Sequence, residues 1–147
     1  MYAPHTVTLY NVITETNLET FVDTENVYIT ILRGVFLDAS KAVNVRTSGL
    51  ESADAVNLFI PFSVTAVDSL GNAKTYASPQ EFLAAQDRST LWTLAVEGDG
   101  GECFFVKGEV VTTAMAARAH DDSYKVTKVD MKDFGSVQMR HFEVGGA

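Results

Sequence analysis

The chain has 147 residues and a mass of 16.0 kDa, which is the size of one domain. Its 19 acidic and 11 basic side chains give a formal net charge of −8. This charge argues against a protein that grips nucleic acid by its phosphates, because such binding needs a Lys/Arg surface. No apolar run approaches the roughly 20 residues of a membrane span, no secretion signal is recognisable at the N-terminus, and the single Cys103 excludes an internal disulfide.

The first third of the chain predicts two strands. Residues 6–10 alternate, with Val7 and Leu9 on one face. Residues 11–24 are acidic and poor in apolar side chains, so we expect an exposed loop or hairpin tip there. Residues 27–37 form the second predicted strand, in which Gly34 is a position for a bulge or a close backbone approach. Its buried face is predicted to consist of Val27, Ile29, Ile31, Val35 and Leu37.

The middle of the chain predicts a loop, a strand and a helix. Residues 38–54 have no clean period and predict a long loop, which is often functional in a small domain. Residues 55–64 alternate again, and Pro61 indicates that this strand ends there or lies at an edge. Ser78, Pro79 and Glu81 form a capping box that predicts a helix to about residue 86 or 87, with Phe82 and Leu83 facing inward.

Residues 90–96 and 102–107 predict a hairpin across the glycine-rich residues 98–101. Residues 114–120 predict a short helical turn. The expected fold is therefore mainly β: a single domain over residues 1–147, built as a small antiparallel β-barrel or sandwich with one short helix, long loops and a projecting C-terminal hairpin.

The predicted C-terminal hairpin, residues 124–147, has an unusual apolar pattern. Folding it about residues 133–136 places Met131 opposite Met139, Val129 opposite His141, and Val126 opposite Val144. The apolar residues then change face along both strands. Either a bulge twists the ribbon within one core, or the tip of the hairpin packs on a neighbouring subunit. The two faces consist of Val129, Met131, Val137 and Met139 near the turn, and of Tyr124, Val126, Phe142 and Val144 farther from it.

No catalytic, cofactor-binding or metal-binding residue is predicted. The three histidines, His5, His120 and His141, lack the spacing of a metal site. Cys103 lies in an apolar strand, the setting of an inert thiol, although a pairing with His141 stays open. The glycine-rich residues 98–101 lead into a strand, whereas a phosphate cradle would open a helix.

Five segments carry a resemblance to small proteins from the structural-gene clusters of Gram-positive tailed phages and prophages. They are LRGV at 32–35, KAVNVRTSG at 41–49, VNLFIPF at 56–62, VKGE at 106–109 and GSVQMRHFEVGG at 135–146. By size and β-rich pattern the chain is similar to head-to-tail connector proteins of the stopper or head-completion type. The resemblance implies a virion protein that assembles as a homo-oligomeric ring, contacts portal, adaptor and tail proteins, and lets DNA pass without sequence-specific binding or membrane contact.

Under this resemblance, Val129, Met131, Val137 and Met139 would pack on the adjacent subunit. Lys41 and Arg46 of the long loop, with Glu15 and Glu19 of the acidic segment, would face the channel or a neighbouring ring. Two other readings stay open. One is a tail terminator or another neck protein, and the other is a soluble phage accessory factor, such as an inhibitor or a ligand-binding β-domain.

Overall fold

A computed structural model describes residues 3–39, 56–96 and 101–147. Within these ranges the fold has two short helices, α1 (Pro79–Ala84) and α2 (Ala114–Arg118), a 3-10 turn at Val137–Met139, and nine strands. The strands are β1 (His5–Thr16), β2 (Asp23–Asp38), β3 (Val56–Pro61), β4 (Thr65–Val67), β5 (Thr75–Tyr76), β6 (Leu91–Trp92), β7 (Glu102–Lys107), β8 (Ser123–Lys132) and β9 (His141–Gly146).

Six strands close into an antiparallel barrel. The main sheet has the order β1-β7-β8-β9-β3-β2-β4, and β1 also pairs with β2. Following these pairings from β1 through β7, β8, β9, β3 and β2 leads back to β1, while β4 is attached to β2 outside this ring. Closure gives each of the six strands a partner on both sides, which removes the unpaired edges of an open sheet. The prediction of a mainly β, barrel-like fold is confirmed.

The barrel interior and one outer face are both packed with apolar side chains. The interior contains Val7, Leu9, Leu32, Leu58, Ile60, Phe105, Val126 and Val144, together with Trp92, Leu94 and Ala95 from β6 and the residues after it. A second cluster covers the outer face of β1 and β7, where Tyr10, Val12, Phe104 and Val106 pack against Ala114 and Ala117 of α2. Strand β1 is therefore buried on both faces.

The prediction that residues 11–24 form an exposed loop or hairpin tip is wrong for residues 11–13, which are buried in β1, whereas residues 14–24 are exposed and form the end of the β1–β2 hairpin. Strand β1 continues to Thr16, and only residues 17–22 form the turn to β2. The side chain of Asn11 is buried, and it hydrogen-bonds to the backbone of Thr93 in the way that a neighbouring strand would. Its Nδ2 donates to the carbonyl of Thr93 at 2.9 Å, and its Oδ1 accepts from the Thr93 amide at 3.3 Å. Asn11, which the sequence pattern placed in a loop, therefore connects β1 to the residue after β6 inside the core.

The bulge at Gly34 is confirmed, and it changes which residues are buried. Gly34 has a φ of 87°, and the pairing of β2 with β1 shifts from Arg33 opposite Thr6 to Val35 opposite His5. The extra residue reverses the alternation. Val27 and Ile29 therefore pack on the outer cluster, whereas Leu32, Val35 and Leu37 face the interior. The prediction of one shared face for these residues is wrong.

Strand β3 ends at Pro61, as predicted, and the capping box of α1 is present. The hydroxyl of Ser78 accepts from the Glu81 amide at 3.2 Å. The helix ends at Ala84, before the predicted end at residue 86 or 87. Arg88 donates to the carbonyls of Phe82 and Leu83 at 2.8 and 2.7 Å, which satisfies two acceptors of the last helical turn. Phe82 is buried as predicted, but Leu83 is exposed, so its inward orientation is wrong.

The predicted hairpin of residues 90–96 with 102–107 is wrong. Strand β6 pairs in parallel with β5, and β7 lies between β1 and β8. Alternating pattern and turn residues indicate that a strand exists, but not which partner it takes. The predicted helical turn at residues 114–120 is confirmed as α2, which Thr113 caps. Residues 97–100 and 40–55, and with them most of the predicted long loop, lie outside the described residues.

The C-terminal hairpin is confirmed as β8 and β9, in a different register. Met131 lies opposite Phe142, Val129 opposite Val144, and Val126 opposite Gly146. The pairs predicted earlier are wrong because Val137–Met139 form the 3-10 turn and lengthen the connection. A register shift between Val126 and Lys128 places a bulge in β8. That bulge explains the change of apolar face along β8.

Candidate functional site

The two long hairpins of the barrel lie across the ring from each other. In the closed order, β1 and β2 are neighbours, and β8 and β9 are the pair farthest from them. Strand β7 runs antiparallel to both β1 and β8, so β1 and β8 run in the same direction. The turn after β8 lies beside the base of the β1–β2 hairpin, because Val137 and Gln138 line a pocket with Arg33 and Gly34 of β2. The two hairpin turns are therefore two distinct projections.

The first projection is the C-terminal tip, which we define as Met131, Phe134, Val137 and Met139. Their exposed fractions are 48%, 71%, 73% and 60%. Three of the four residues predicted to contact a neighbouring subunit, Met131, Val137 and Met139, are thus exposed, but they line three different pockets. Val129 is not exposed, because it lies opposite Val144 and packs against the barrel interior.

An aromatic pocket adjoins the C-terminal tip, with a volume of about 290 Å³. Trp92 and Phe142 are buried at its base, and Phe62 and Met131 are partly exposed at its rim. Ring centroids lie 4.7 Å apart for Tyr76 and Phe142 and 5.0 Å apart for Phe62 and Phe142. The pocket is lined by Phe62, Val64, Tyr76, Trp92, Met131 and Phe142. A site with this lining can hold an apolar side chain or a small apolar ligand.

Sequence reasoning missed this pocket. Phe62 and Val64 belong to the alternating residues 55–64 that predict a strand, but they follow the end of β3. Tyr76 and Trp92 meet because β5 and β6 pair in parallel over two residues each. Pairs this short leave no periodic signal in a sequence. Among the residues predicted to contact a neighbouring subunit, Met131 is the one that lines this pocket.

The second projection is the β1–β2 hairpin, whose turn presents an exposed phenylalanine. Phe21 is 80% exposed, and its φ of 55° lies in the left-handed region. Asn17 organises the turn: its carbonyl accepts from the Phe21 amide at 2.7 Å, and its Oδ1 accepts from the Glu19 amide at 2.8 Å. The Thr16 hydroxyl donates to Asp23 at 2.6 Å and closes the base of the turn.

The residues predicted to face a channel or a neighbouring ring lie partly on this hairpin. Glu19 is exposed in the turn, and Glu15 is exposed on β1, 3.8 Å from Arg88. Lys41 and Arg46 lie outside the described residues. The structure therefore places the two acidic residues on the β1–β2 hairpin and outside the C-terminal tip, and their predicted role stays a prediction.

Two titratable side chains are buried in the barrel wall. Burial raises the pKa of the Cys103 thiol to about 12, so the thiol is protonated at neutral pH. Burial also lowers the pKa of Lys74 to about 8, and its Nζ donates to the carbonyl of Ile29 at 3.1 Å. Across residues 3–39, 56–96 and 101–147, no three His, Cys, Asp or Glu side chains are grouped so that they could hold a metal ion. No helix in these ranges has the length and apolar character needed to span a membrane.

The model of a family of unknown function, DUF6751, matches residues 2–147. The chain belongs to DUF6751. Neither the curated proteins nor the solved structures contain a match. Because the family match covers nearly the whole chain, the barrel, both hairpins and the aromatic pocket all fall inside the DUF6751 region.

Proposed function

We propose that this DUF6751 protein is a virion structural protein of the head-to-tail connector of a tailed phage, of the stopper or head-completion type. In this role, copies of the chain form a ring that joins the capsid portal or adaptor to the tail. The observation that carries the proposal is the exposed C-terminal tip beside an otherwise well-packed barrel. Its position in the virion rests on the resemblance in the sequence.

The C-terminal tip favours an assembling protein because it leaves apolar surface in water. Fully burying one Leu-sized or Met-sized side chain is worth about 1.5–3 kcal/mol. Four such side chains lie within nine residues of one hairpin. Met131 also lies at the rim of the aromatic pocket, and an exposed apolar patch of this kind is typical of surfaces that bind another protein. A partner that covers this tip would gain several kcal/mol without any change in the barrel core.

The charge distribution fits a protein that DNA passes without binding. Residues 14–26 contain Glu15, Glu19, Asp23 and Glu25 and no basic residue. The whole chain carries a formal charge of −8. Like charge on a channel wall repels phosphates and keeps DNA from adhering. The closed barrel supplies a frame for such a wall.

Removal of the gene from the phage genome that encodes the chain tests the proposal. We expect particles without the chain to accumulate as separate capsids and tails, because the joint between them is incomplete. Addition of the purified chain to these parts should restore joined particles. Normal particles in its absence would contradict the proposal. If the capsids are complete and the defect lies at the end of the tail, the chain would instead be a tail terminator.

A second candidate is a ligand-binding β-domain, and the aromatic pocket favours it. The pocket of about 290 Å³ lies just under the range of about 300–1,000 Å³ that is common for small-molecule sites. Such a protein would remain a monomer or dimer and would bind an apolar compound with quenching of the Trp92 fluorescence. A connector would instead assemble with copies of itself or with capsid and tail proteins.

A further inference from the structure

We propose that the two projections bind each other between copies. Phe21, at the turn of the β1–β2 hairpin of one copy, occupies the aromatic pocket beside the C-terminal tip of the next copy. This inference rests on the proposed function, because it names the contact that would build the ring. It assigns a role to two features that the fold of a single chain does not explain.

The first feature is the conformation and exposure of Phe21. A bulky residue with a φ of 55° is an outlier, because its Cβ crowds the backbone in the left-handed region. Gly or Asn would fit this turn position without that cost. The hydrogen bonds of Asn17 nevertheless hold the turn in this shape and leave Phe21 exposed, with Leu18 and Val22 exposed beside it. Strain of this kind persists at sites where it serves binding.

The second feature is a pocket of matching size and chemistry. Its volume of about 290 Å³ suits an aromatic side chain better than a large cofactor. Phe62, Tyr76 and Phe142 offer ring faces and edges to an inserted ring, which favours tilted or edge-to-face packing. Exposed Leu18 and Val22 would then lie against the rim formed by Phe62 and Met131.

The positions of the two features favour a ring. They are different surfaces, because Phe21 lies in the turn between β1 and β2 and the pocket is lined by Tyr76 of β5, Trp92 of β6 and Phe142 of β9, among others. A contact between two different surfaces is heterologous, and repetition of it around a closing rotation produces a cyclic oligomer. A two-fold dimer would instead require one surface that is complementary to itself.

The charges of the two hairpins are complementary. Residues 14–26 hold four acidic side chains, of which Glu15 and Glu25 already have Arg88 and Arg118 as partners. Glu19 and Asp23 have no such partner in the described part of the chain. On the C-terminal hairpin, residues 125–141 hold four basic and two acidic side chains. Of these, Lys132 and Arg140 form no ion pair with the described residues, and Arg140 Nε is buried without a hydrogen-bond partner there.

Two single variants, each lacking one side of the contact, provide the test. Phe21→Gly removes the phenylalanine side chain, here called the knob, and relieves the strain of the left-handed backbone. The thermal midpoint of this variant should therefore equal or exceed that of the wild type. Met131→Glu places a charge in the pocket wall, at a side chain that is half exposed. Met115→Glu, on exposed α2, is the matched control. Phe62→Glu is the second pocket variant, to be used if Met131→Glu does not fold.

Sedimentation velocity would measure assembly of each protein alone and of an equimolar mixture. We expect the wild type and Met115→Glu to form oligomers larger than a dimer, and each knob or pocket variant alone to self-associate at least tenfold more weakly. Mixed Phe21→Gly and Met131→Glu should form a heterodimer and stop there, because only one intact knob and one intact pocket remain. This complementation is specific to a heterologous contact.

The failures of the contact and of the proposed function are distinguishable. If both variants form the wild-type oligomer, the knob-in-pocket contact is wrong and the ring proposal stands. If folded variants stay monomeric in the mixture while the wild type assembles, the contact is also wrong, because another surface holds the ring. A wild type that neither self-associates nor joins capsids to tails would overturn the contact and the proposed function together.

Discussion

At the scale of single residues, Lys74 is the least expected side chain in the barrel wall. It is almost completely buried, and its Nζ donates to the carbonyl of Ile29 on β2 at 3.1 Å. That carbonyl lies just beyond the end of the β2–β4 pairing, where no strand partner is available. Lys74 therefore supplies the missing donor. The burial lowers its pKa to about 8, while the Asp68 charge works in the opposite direction.

The Lys74 pKa predicts that this side chain contributes more stability as the solution becomes mildly alkaline. Above about pH 8 the folded protein loses the Lys74 proton, whereas the unfolded chain keeps it to about pH 10.4. The unfolded state then binds more protons, so we expect the Lys74 contribution to the free energy of unfolding to rise on the order of 1–2 kcal/mol between about pH 7.5 and about pH 9.5. The buried Cys103 thiol acts in the opposite direction, because it stays protonated in the folded protein while the unfolded thiol ionises at about pH 8.5.

Urea unfolding at three pH values in that range measures this rise. The Lys74 contribution is the difference between the wild type and Lys74→Met, because both keep the Cys103 thiol and only the wild type has the Lys74 proton to release. A difference that stays level between these pH values would show that Lys74 titrates normally.

Gly146, the last residue of β9, gives a second prediction for a single residue. A Cβ at this position would lie 2.9 Å from Phe105 Cζ and 3.0 Å from both Tyr124 Cβ and Val56 Cγ2. All three atoms belong to the packed interior, so they have little room to move. We expect Gly146→Ala to lower the free energy of unfolding by about 1–3 kcal/mol.

Chemical denaturation measures the effect of Gly146→Ala. Ala147→Ser serves as its control, because Ala147 is exposed and the added atom does not enter the barrel. Equal stability of the wild type and Gly146→Ala would mean that β3, β7 and β8 approach each other less closely at this point.

At the scale of elements, the sequence predicted what short-range chemistry determines. The capping box at Ser78, the bulge at Gly34 and the end of β3 at Pro61 each follow from a local backbone requirement. The hairpin of β8 with β9 was predicted from its turn. The register of this hairpin was not predicted correctly, because Val137 and Met139 alternate with a polar residue as in a strand but form a 3-10 turn.

Pairings between distant segments could not be predicted in the same way. Asn11 reads as a loop residue until Thr93, 82 positions away, is placed beside it. The parallel pairing of β5 with β6 involves two residues from each strand, which is too short for a periodic pattern. Of the candidate site, the exposure of Met131, Val137 and Met139 was predicted, whereas the aromatic pocket required those distant contacts.

The N-terminal cap of α1 gives a prediction at this scale. Helix α1 connects β5 to β6, and its Phe82 packs in a small cluster with Ile13 and Ala77. We expect Ser78→Ala to lower the free energy of unfolding by about 1 kcal/mol, because the Glu81 amide loses its acceptor. Ser78→Asp should retain most of the stability, since Asp also caps helices well. If both variants unfold at the same urea concentration, the cap does not contribute.

At the scale of the whole molecule, the closed barrel carries exposed apolar side chains on the turns of its two long hairpins. All six barrel strands have partners on both sides, so the chain does not depend on a neighbour to complete its sheet. The C-terminal tip can therefore be altered without loss of the fold. Stability and assembly are therefore expected to depend on different residues.

The double variant Met131→Asp and Met139→Asp should fold as a monomer and fail to assemble. Both side chains are about half exposed or more, so two carboxylates there cost the folded monomer little but oppose burial by a partner. Circular dichroism and sedimentation velocity would separate the two effects. Unfolding of the double variant would instead place these methionines in the core of the monomer.

Electron microscopy of the assembled particle tests the central claim most directly. The claim is that the chain joins copies of itself through apolar surface at the neck of a virion. We predict density for a ring of barrels between capsid and tail, with the β1–β2 hairpin of each copy against the β8–β9 side of the next. A complete neck without this chain, or a single isolated copy in the particle, would contradict the claim.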